Sequence, residues 1–377
     1  MMRVLFISHY PGLGGANLSM IHLIEHLRIY GIVPLVFIPA HGPIEVELQK
    51  RGIAYEIHRY ASLRTVDKGT VYNALEAVLR VAVNIGQSIR LSIKLRNKID
   101  LIHSNSSLVF LGWFLKKIMR KPLIWHLREF GRGDYDLCLP LGRKISAKCY
   151  EDADVMVAIS QSVADYYMQS ICPEANMRTI YNGIDESSVL PRFIRKEDKI
   201  AICMAGGISE QKNQIELIRA VRLIKNNNFR IDIIGDGDKK YIDKLRLIIK
   251  EYGLDDVIRF IGPKGNIGAI LKNYSIGIIT SKNEAFGRVI IEYMLAKLAV
   301  IAPNAGACTE LVCNGQTGFV YELGNASDLA NKLQLLIQNG TERNRVALSG
   351  YDMAINHYTA RINAQKVYML YKEVMKV

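Results

Sequence analysis

Short runs of aliphatic and β-branched residues punctuate the chain, and most are followed by a longer stretch with helical spacing. Val4–Ile7, Leu35–Ile38, Leu101–His103, Leu123–Trp125, Val155–Ile159 and Thr179–Tyr181 are short and mostly continuous in apolar character. That is the pattern of strands covered on both faces of a parallel sheet. Between them the spacing predicts helices over Asn17–Ile29, Ile44–Arg51, Val71–Lys98, Leu108–Met119 and Leu141–Glu151. A second series of strands follows: Ile200–Met204, Ile231–Ile234, Val257–Ile261, Ile276–Ile279, Val300–Ala302 and Gly318–Tyr321. Its helices are expected near Asn213–Lys225, Lys239–Lys250, Arg288–Ala296, Ala326–Asn339 and Asn344–Asn356. Strand–helix alternation twice over predicts an α/β protein of two Rossmann-like, doubly wound parallel-sheet domains.

The break between the two series has no clean period. It follows the turn signal Asn182-Gly183 and carries Pro191 and mixed charge. The expected division is a first domain over 1–185, a linker over 186–198 and a second domain over 199–358. A last segment, 359–377, holds a helix (Arg361–Val377) that the second sheet does not require. A length of 377 residues suits two domains, and 49% apolar with 23% charged residues gives ample core while excluding disordered or fibrous classes.

Charge adds a hint about partners. The formal net charge is +13, which favours anionic ligands or surfaces. The excess is local: Arg90–Lys148 holds thirteen basic against four acidic residues, and Cys149–Glu186 one against seven. Arg90, Lys94, Arg96 and Lys98 lie among Ile and Leu, and Leu108–Met119 ends in a basic pair before it closes. Two readings stand: a patch for an anionic membrane surface, and an ordinary crossover helix with a solvated basic side. The six cysteines are scattered without Cys-x-x-Cys or a His cluster. They fit small buried residues in a reducing cytoplasm better than zinc or redox chemistry. The first apolar run is too short for a secretory leader and reads as a strand. No window is apolar enough to span a membrane.

The densest chemistry lies in Ser281-Lys282-Asn283-Glu284-Ala285-Phe286-Gly287-Arg288-Val289-Ile290-Ile291-Glu292. It leaves a predicted strand and opens a predicted helix, the edge of a parallel sheet where such folds bind ligands. The helix-start N–H groups near Gly287 would face a phosphate, and Glu284 and Glu292 could bind sugar hydroxyls. The plainer reading is an acid that complements the helix dipole, with a second, solvated Glu.

This segment resembles the signature of the retaining glycosyltransferases of family 4, which have the GT-B fold. Other segments resemble the family in the family's order. They are Gly12-Leu13-Gly14-Gly15-Ala16-Asn17, Trp125-His126-Leu127-Arg128-Glu129-Phe130, Ser160 to Val163 and Tyr181-Asn182-Gly183-Ile184-Asp185. Ile234-Gly235-Asp236-Gly237, Phe260-Ile261-Gly262 and Asn304 to Val312 continue the series. The resemblance covers nearly the whole chain. It implies two domains facing a cleft, with the last helix crossing back to the first, acceptor-binding domain and a nucleotide-sugar donor on the second. The implied reaction moves a sugar from a nucleotide-diphosphate-sugar to a hydroxyl of a surface-glycan or lipid-linked acceptor at the inner face of the membrane. The nucleotide sugar is a co-substrate, and neither cofactor nor metal is implied.

The implied roles fall on particular residues. Glu292 would hold the ribose diol and Glu284 the transferred sugar's hydroxyls. Phe286 and Gly287 would offer backbone groups, and Lys212 would neutralise the diphosphate. His126 would face the reacting sugar, and Gly14 and Gly15 would pass close to phosphate or acceptor. By its residues alone His126 reads either as a satisfied strand-end histidine or as a functional group. Its polar neighbours Arg128 and Glu129 favour the second, and His9 and His103 also end strands.

One departure stands out. Where the family usually has an Arg before the Lys, this chain has Gly207. Arg288 is a candidate to supply the missing charge, with Arg128 as a second, and the plain alternative for Arg288 is a surface helix residue. The gap leaves room for a non-catalytic sugar-nucleotide-binding partner protein of the same fold. A nucleic-acid binder, suggested by the charge, is disfavoured by 8% aromatic content placed mostly in apolar runs. Asp-x-Asp occurs at 236–238, 152–154 and 134–136, too often to single out a metal site. Gly12-x-Gly14 and Gly235-x-Gly237 lack the third glycine of a dinucleotide fingerprint.

Overall fold

The computed structural model describes residues 1–61, 70–131, 142–193, 199–225 and 228–377, apart from the side chains of 70–74 and 77. Cys138, the Asp134–Asp136 pair, Leu141 and segment 194–198 lie outside the described residues. The chain divides into two compact units, Met1–Gly183 with Ala360–Val377, and Ile184–Thr359.

In chain order the first unit runs β1 (Met2–Ile7), α1 (Gly15–Leu27), β2 (Ile32–Ile38), α2 (Ile44–Lys50) and β3 (Tyr55–Ile57). It continues with α3 (Thr70–Leu95), β4 (Leu101–Ser104), α4 (Leu111–Met119), β5 (Leu123–Leu127), α5 (Gly142–Glu151), β6 (Val155–Ala158), α6 (Gln161–Ser170) and β7 (Met177–Thr179). The sheet order is β3-β2-β1-β4-β5-β6-β7, and each pairing is parallel. Order reverses between β1 and β4, the switch point at whose carboxyl edge a parallel sheet leaves a crevice. Val4, Phe6, Leu101 and Ile124 are fully buried, covered by helices that include α1.

The second unit runs β8 (Ile200–Ala205), α7 (Gln214–Arg222), β9 (Phe229–Ile234), α8 (Lys239–Glu251), β10 (Ile258–Phe260), α9 (Ile267–Leu271) and β11 (Ile276–Ile278). Then come α10 (Arg288–Leu295), β12 (Ala299–Pro303), α11 (Cys308–Leu311), β13 (Phe319–Tyr321), α12 (Ala326–Gln338) and α13 (Gly340–His357). Its order is β10-β9-β8-β11-β12-β13, again all parallel, with the switch between β8 and β11. The last helix, α14 (Ala360–Met375), belongs to the first unit. It packs on α1, and Tyr368 stacks at 4.6 Å on Tyr30, in the turn just after that helix.

The two-domain α/β architecture is the one the alternation predicts. Several local readings differ. β3 was absent from the pattern because it is three residues long and none of them is fully buried. α6 escaped because its polar residues blur the period. Ser160 starts it by accepting a hydrogen bond from the Val163 N–H at 3.1 Å. The strand read at Thr179–Tyr181 lies two residues earlier. Residues 186–193, read as linker, make backbone contacts inside the second unit: the Leu190 N–H donates to Gly268 O at 3.2 Å and the Arg192 N–H to Ala296 O at 3.0 Å.

Candidate functional site

On the second unit, the loops leaving β8 and β11 are tied together at the switch point. Thr280 Oγ1 donates to the carbonyl of Lys212 at 2.8 Å, and the Lys282 N–H donates to Gln211 O at 2.9 Å. This brings Lys212 Nζ onto Glu284 Oε1, which also accepts from Ser281 Oγ at 2.6 Å. The carboxylate is well covered, with the side chain 12% exposed, while the lysine is 35% exposed. The carbonyl of Glu284 accepts from the Ala307 N–H at 2.9 Å. Next to it Gly306 sits at φ +54°, where a Cβ would come within 2.4 Å of Glu284 O. Glycine is required there twice over, by conformation and by space.

Gly287 caps α10 in the left-handed region, φ +81°. One turn on, Arg288 Nη2 reaches Glu292 Oε1 at 3.3 Å. Burial pushes the Glu292 carboxyl above its usual range, and Arg288 pulls it partly back. Phe286 is buried, edge-on to Tyr358. Below this helix start, Gly277 in β11 leaves room for the ring of Tyr293, whose hydroxyl accepts the Ala205 N–H at 2.7 Å. That bond fixes the end of β8 just before Gly206 and Gly207. Both of those glycines are exposed, and a Cβ on either would meet nothing within 4 Å. The place of the missing Arg is therefore open space.

On the first unit, the β1–α1 loop is held by a residue the sequence reading did not assign. Asn17, fully buried, donates through Nδ2 to Tyr10 O at 3.0 Å and Gly12 O at 2.7 Å and accepts from Ser8 Oγ at 2.8 Å. The ring of Tyr10 lies across the loop, so a Cβ on Gly12 or Gly14 would strike it. Gly14 is the extended N-cap of α1, and Gly15 is its first residue.

His126 lies at the carboxyl end of β5, fully buried. Its Nδ1 is 3.1 Å from His103 Nε2 on β4, and His103 Nδ1 is 2.7 Å from the Tyr371 hydroxyl on α14. His126 Nε2 is buried without a hydrogen-bond partner among the described residues. Burial first and Arg128 second depress both histidines well below their usual range, so both are neutral near pH 7. Burial also holds the phenol protonated. The proton pattern follows from leaving the fewest buried polar groups unpaired. Tyr371 donates to His103 Nδ1, His103 Nε2–H donates to His126 Nδ1, and His126 Nε2 is left as an N–H donor. The reverse pattern would orphan the buried hydroxyl, at a cost of roughly 1–3 kcal/mol.

The neighbours have structural duties. Arg128 donates from Nε to Asn105 Oδ1 at 2.9 Å and from Nη1 to Asn182 Oδ1. Glu129 Oε1 accepts from Ser106 Oγ, the Ser107 N–H and Ser107 Oγ, the first two at 2.8 Å. Those serines precede a helix that begins only at Leu111. Asp236 accepts from the Gly237 N–H at 2.8 Å, and Asp238 caps α8. Asp152 and Asp154 accept from Lys117 and Lys116. Cys149, Cys172, Cys203 and Cys308 are buried; Cys313 is exposed. Among the described residues no helix is long and apolar enough to cross a membrane.

Comparison with known proteins bears on both units. The model for Glycosyltransferase Family 4 matches residues 13–188, and that for Glycosyl transferases group 1 matches residues 190–353. Over 361 residues the chain is 26% identical to an uncharacterized glycosyltransferase of Methanocaldococcus jannaschii, a match covering 94% of this chain and 93% of that protein. It is 25% identical over 204 residues to N-acetyl-alpha-D-glucosaminyl L-malate synthase of Bacillus anthracis. There the match covers 52% of this chain and about half, 53%, of the relative. Among solved structures, HepE of Anabaena in complex with UDP has a TM-score of 0.82 at 21% identity, over 99% of this chain and 100% of that one. HepE has also been solved with UDP-glucose. The fold is thus shared from end to end, each unit matches a glycosyltransferase model, and the chain belongs to the family 4, group 1 type of glycosyltransferases with the GT-B fold.

Proposed function

We propose that this glycosyltransferase is a retaining, metal-independent enzyme that takes its sugar from a nucleotide diphosphate. The observation that carries the reading is the pair of carboxylates on one strand-to-helix turn. Glu284 is tied to Lys212 and Glu292 to Arg288, at the carboxyl edge of the second sheet. Carboxylates suit sugar and ribose hydroxyls, and the cations beside them suit a diphosphate. Glu292 binds the ribose diol, Glu284 the hydroxyls of the transferred sugar, and Lys212 the departing diphosphate. Arg288 supplies part of the charge absent at Gly207, and Phe286 and Gly287 offer backbone groups. His126 offers its Nε2–H to a hydroxyl of the sugar, and Gly14 and Gly15 let phosphate or acceptor approach the backbone. The solved complexes of HepE with UDP and UDP-glucose support a nucleotide sugar as the ligand.

In the reaction the bond from the anomeric carbon to the diphosphate oxygen breaks. The acceptor hydroxyl oxygen bonds that carbon on the same face, and its proton passes to the leaving phosphate oxygen. No protein nucleophile takes part; the protein contributes charge stabilisation and positioning. The acceptor is a surface-glycan or lipid-linked hydroxyl, met in the cytoplasm at an anionic membrane surface by the basic first unit.

Slow hydrolysis of the donor tests the chemistry without the acceptor. With an α-linked nucleotide sugar, proton NMR should show the α-anomer released first, at a rate unchanged by a chelator. Initial release of the β-anomer would overturn retention. Nucleotide binding with neither hydrolysis nor transfer would favour a non-catalytic partner protein.

A further inference from the structure

Helix α3 turns a run of aliphatic residues outward. Its inward positions are partly polar: Asn84 and Ser88 are fully buried and Ser92 nearly so. Asn84 accepts from the Ala61 N–H at 2.9 Å and donates to Ala61 O at 3.0 Å, while Ser88 Oγ donates to Asn84 O at 2.7 Å. Most outward positions are aliphatic. Leu75, Val78, Leu79, Ile85, Ile89 and Ile93 are 41–81% exposed, with Ile93 the most open. At helical spacing they fall on one arc of about a third of the circumference. Scattered exposed aliphatics are ordinary on a soluble surface; a stripe along most of a 26-residue helix, with Asn84, Ser88 and Ser92 buried on its inner side, is not.

We propose that this stripe lies in the headgroup–acyl boundary of an anionic bilayer, with α3 parallel to the membrane plane. Charge selects that occupant. Arg80 is paired with Glu76, and Lys94 with Glu56 at 2.7 Å. Arg90, Arg96 and Lys98 are exposed at the carboxyl end. A second copy laid stripe on stripe would add those cations to its own, whereas acidic headgroups neutralise them. The length of the helix is no obstacle, because an interfacial helix is marked by its apolar face and basic flank rather than by a spanning run. The inference deepens the membrane reading given above by naming the surface. It is independent of the transfer chemistry, since none of these residues belongs to the proposed donor site.

Co-sedimentation of the full chain with vesicles decides it. One set is phosphatidylglycerol mixed equally with phosphatidylcholine, the other phosphatidylcholine alone. The wild type should bind the first set at physiological salt and bind the second weakly. Ile89→Glu with Ile93→Glu should lower partitioning onto the anionic vesicles by at least about tenfold. Both positions face water, so the thermal shift given by nucleotide sugars should not change. Absence of binding to anionic vesicles would overturn the proposal, as would binding that the double variant leaves intact. So would a dimer in solution that the same substitutions dissociate, since a second copy would then cover the stripe. If the vesicles behave as predicted and nucleotide sugars give no shift, the donor reading fails while the membrane surface stands.

Discussion

At residue scale the proposed chemistry rests on the unpartnered Nε2 of His126 and on Glu292, paired with Arg288. In that proposal Tyr371 is a positioning residue: through its hydrogen bond to His103, and that of His103 to His126, it favours the proton on His126 Nε2. Tyr371→Phe should lower kcat about tenfold or more while leaving the donor KM within about twofold, the signature of a lost orienting interaction. Nitrogen NMR of His126 should show the Nε2–H form in the wild type and a mixture of tautomers in the variant. An unchanged tautomer would show that Tyr371 serves packing alone. Glu292 yields a pH prediction with a defined sign. Burial raises its carboxyl and Arg288 lowers it, so Arg288→Ala removes the lowering influence and raises the carboxyl further. Donor binding that requires the carboxylate then weakens as pH falls, and weakens at a higher pH in the variant. Titrating nucleotide affinity across the acid range checks this. A displacement toward lower pH, or none, would contradict it.

Elements were more legible than the bonds between them. The buried strands Val4–Ile7, Ile200–Ala205 and Ala299–Pro303 are apolar runs that admit few other readings. The turn over residues 281–292 was legible because its glycine and two carboxylates cluster within a dozen positions. The His126–His103–Tyr371 chain was not, since it joins β5 to β4 and α14 across more than half the sequence. Asn17 was hidden for another reason: in sequence it reads as a polar residue of the first helical turn, and only the fold turns it onto the loop. β3 and α6 were missed where short length or mixed polarity erased the period. The same element scale explains Gly306, whose loop after β12 backs the Glu284 turn. Gly306→Ala places a Cβ against Glu284 O and forces a left-handed alanine. It should destabilise the chain by about 1–3 kcal/mol and depress donor affinity, measured by thermal melting with and without nucleotide. A variant with wild-type melting and affinity would remove Gly306 from the support of the site.

For the whole molecule, fold and function have separate sources. The two doubly wound sheets follow from strand–helix alternation and would serve many chemistries. The proposed chemistry rests on loops at the carboxyl edges of those sheets, beside the two switch points in strand order. The net charge of +13 favours anionic ligands and surfaces without naming any. The open position at Gly207 is the place where the account is most exposed, because one cation of the expected pair is absent. The most direct measurement is thermal shift against UDP-, GDP-, ADP- and CDP-sugars, for the wild type and Glu292→Ala. The account predicts that one nucleotide class stabilises the wild type by mass action and that Glu292→Ala abolishes the shift without lowering the ligand-free melting temperature by more than a few degrees. No shift with any nucleotide sugar, or a shift that survives Glu292→Ala, would contradict it.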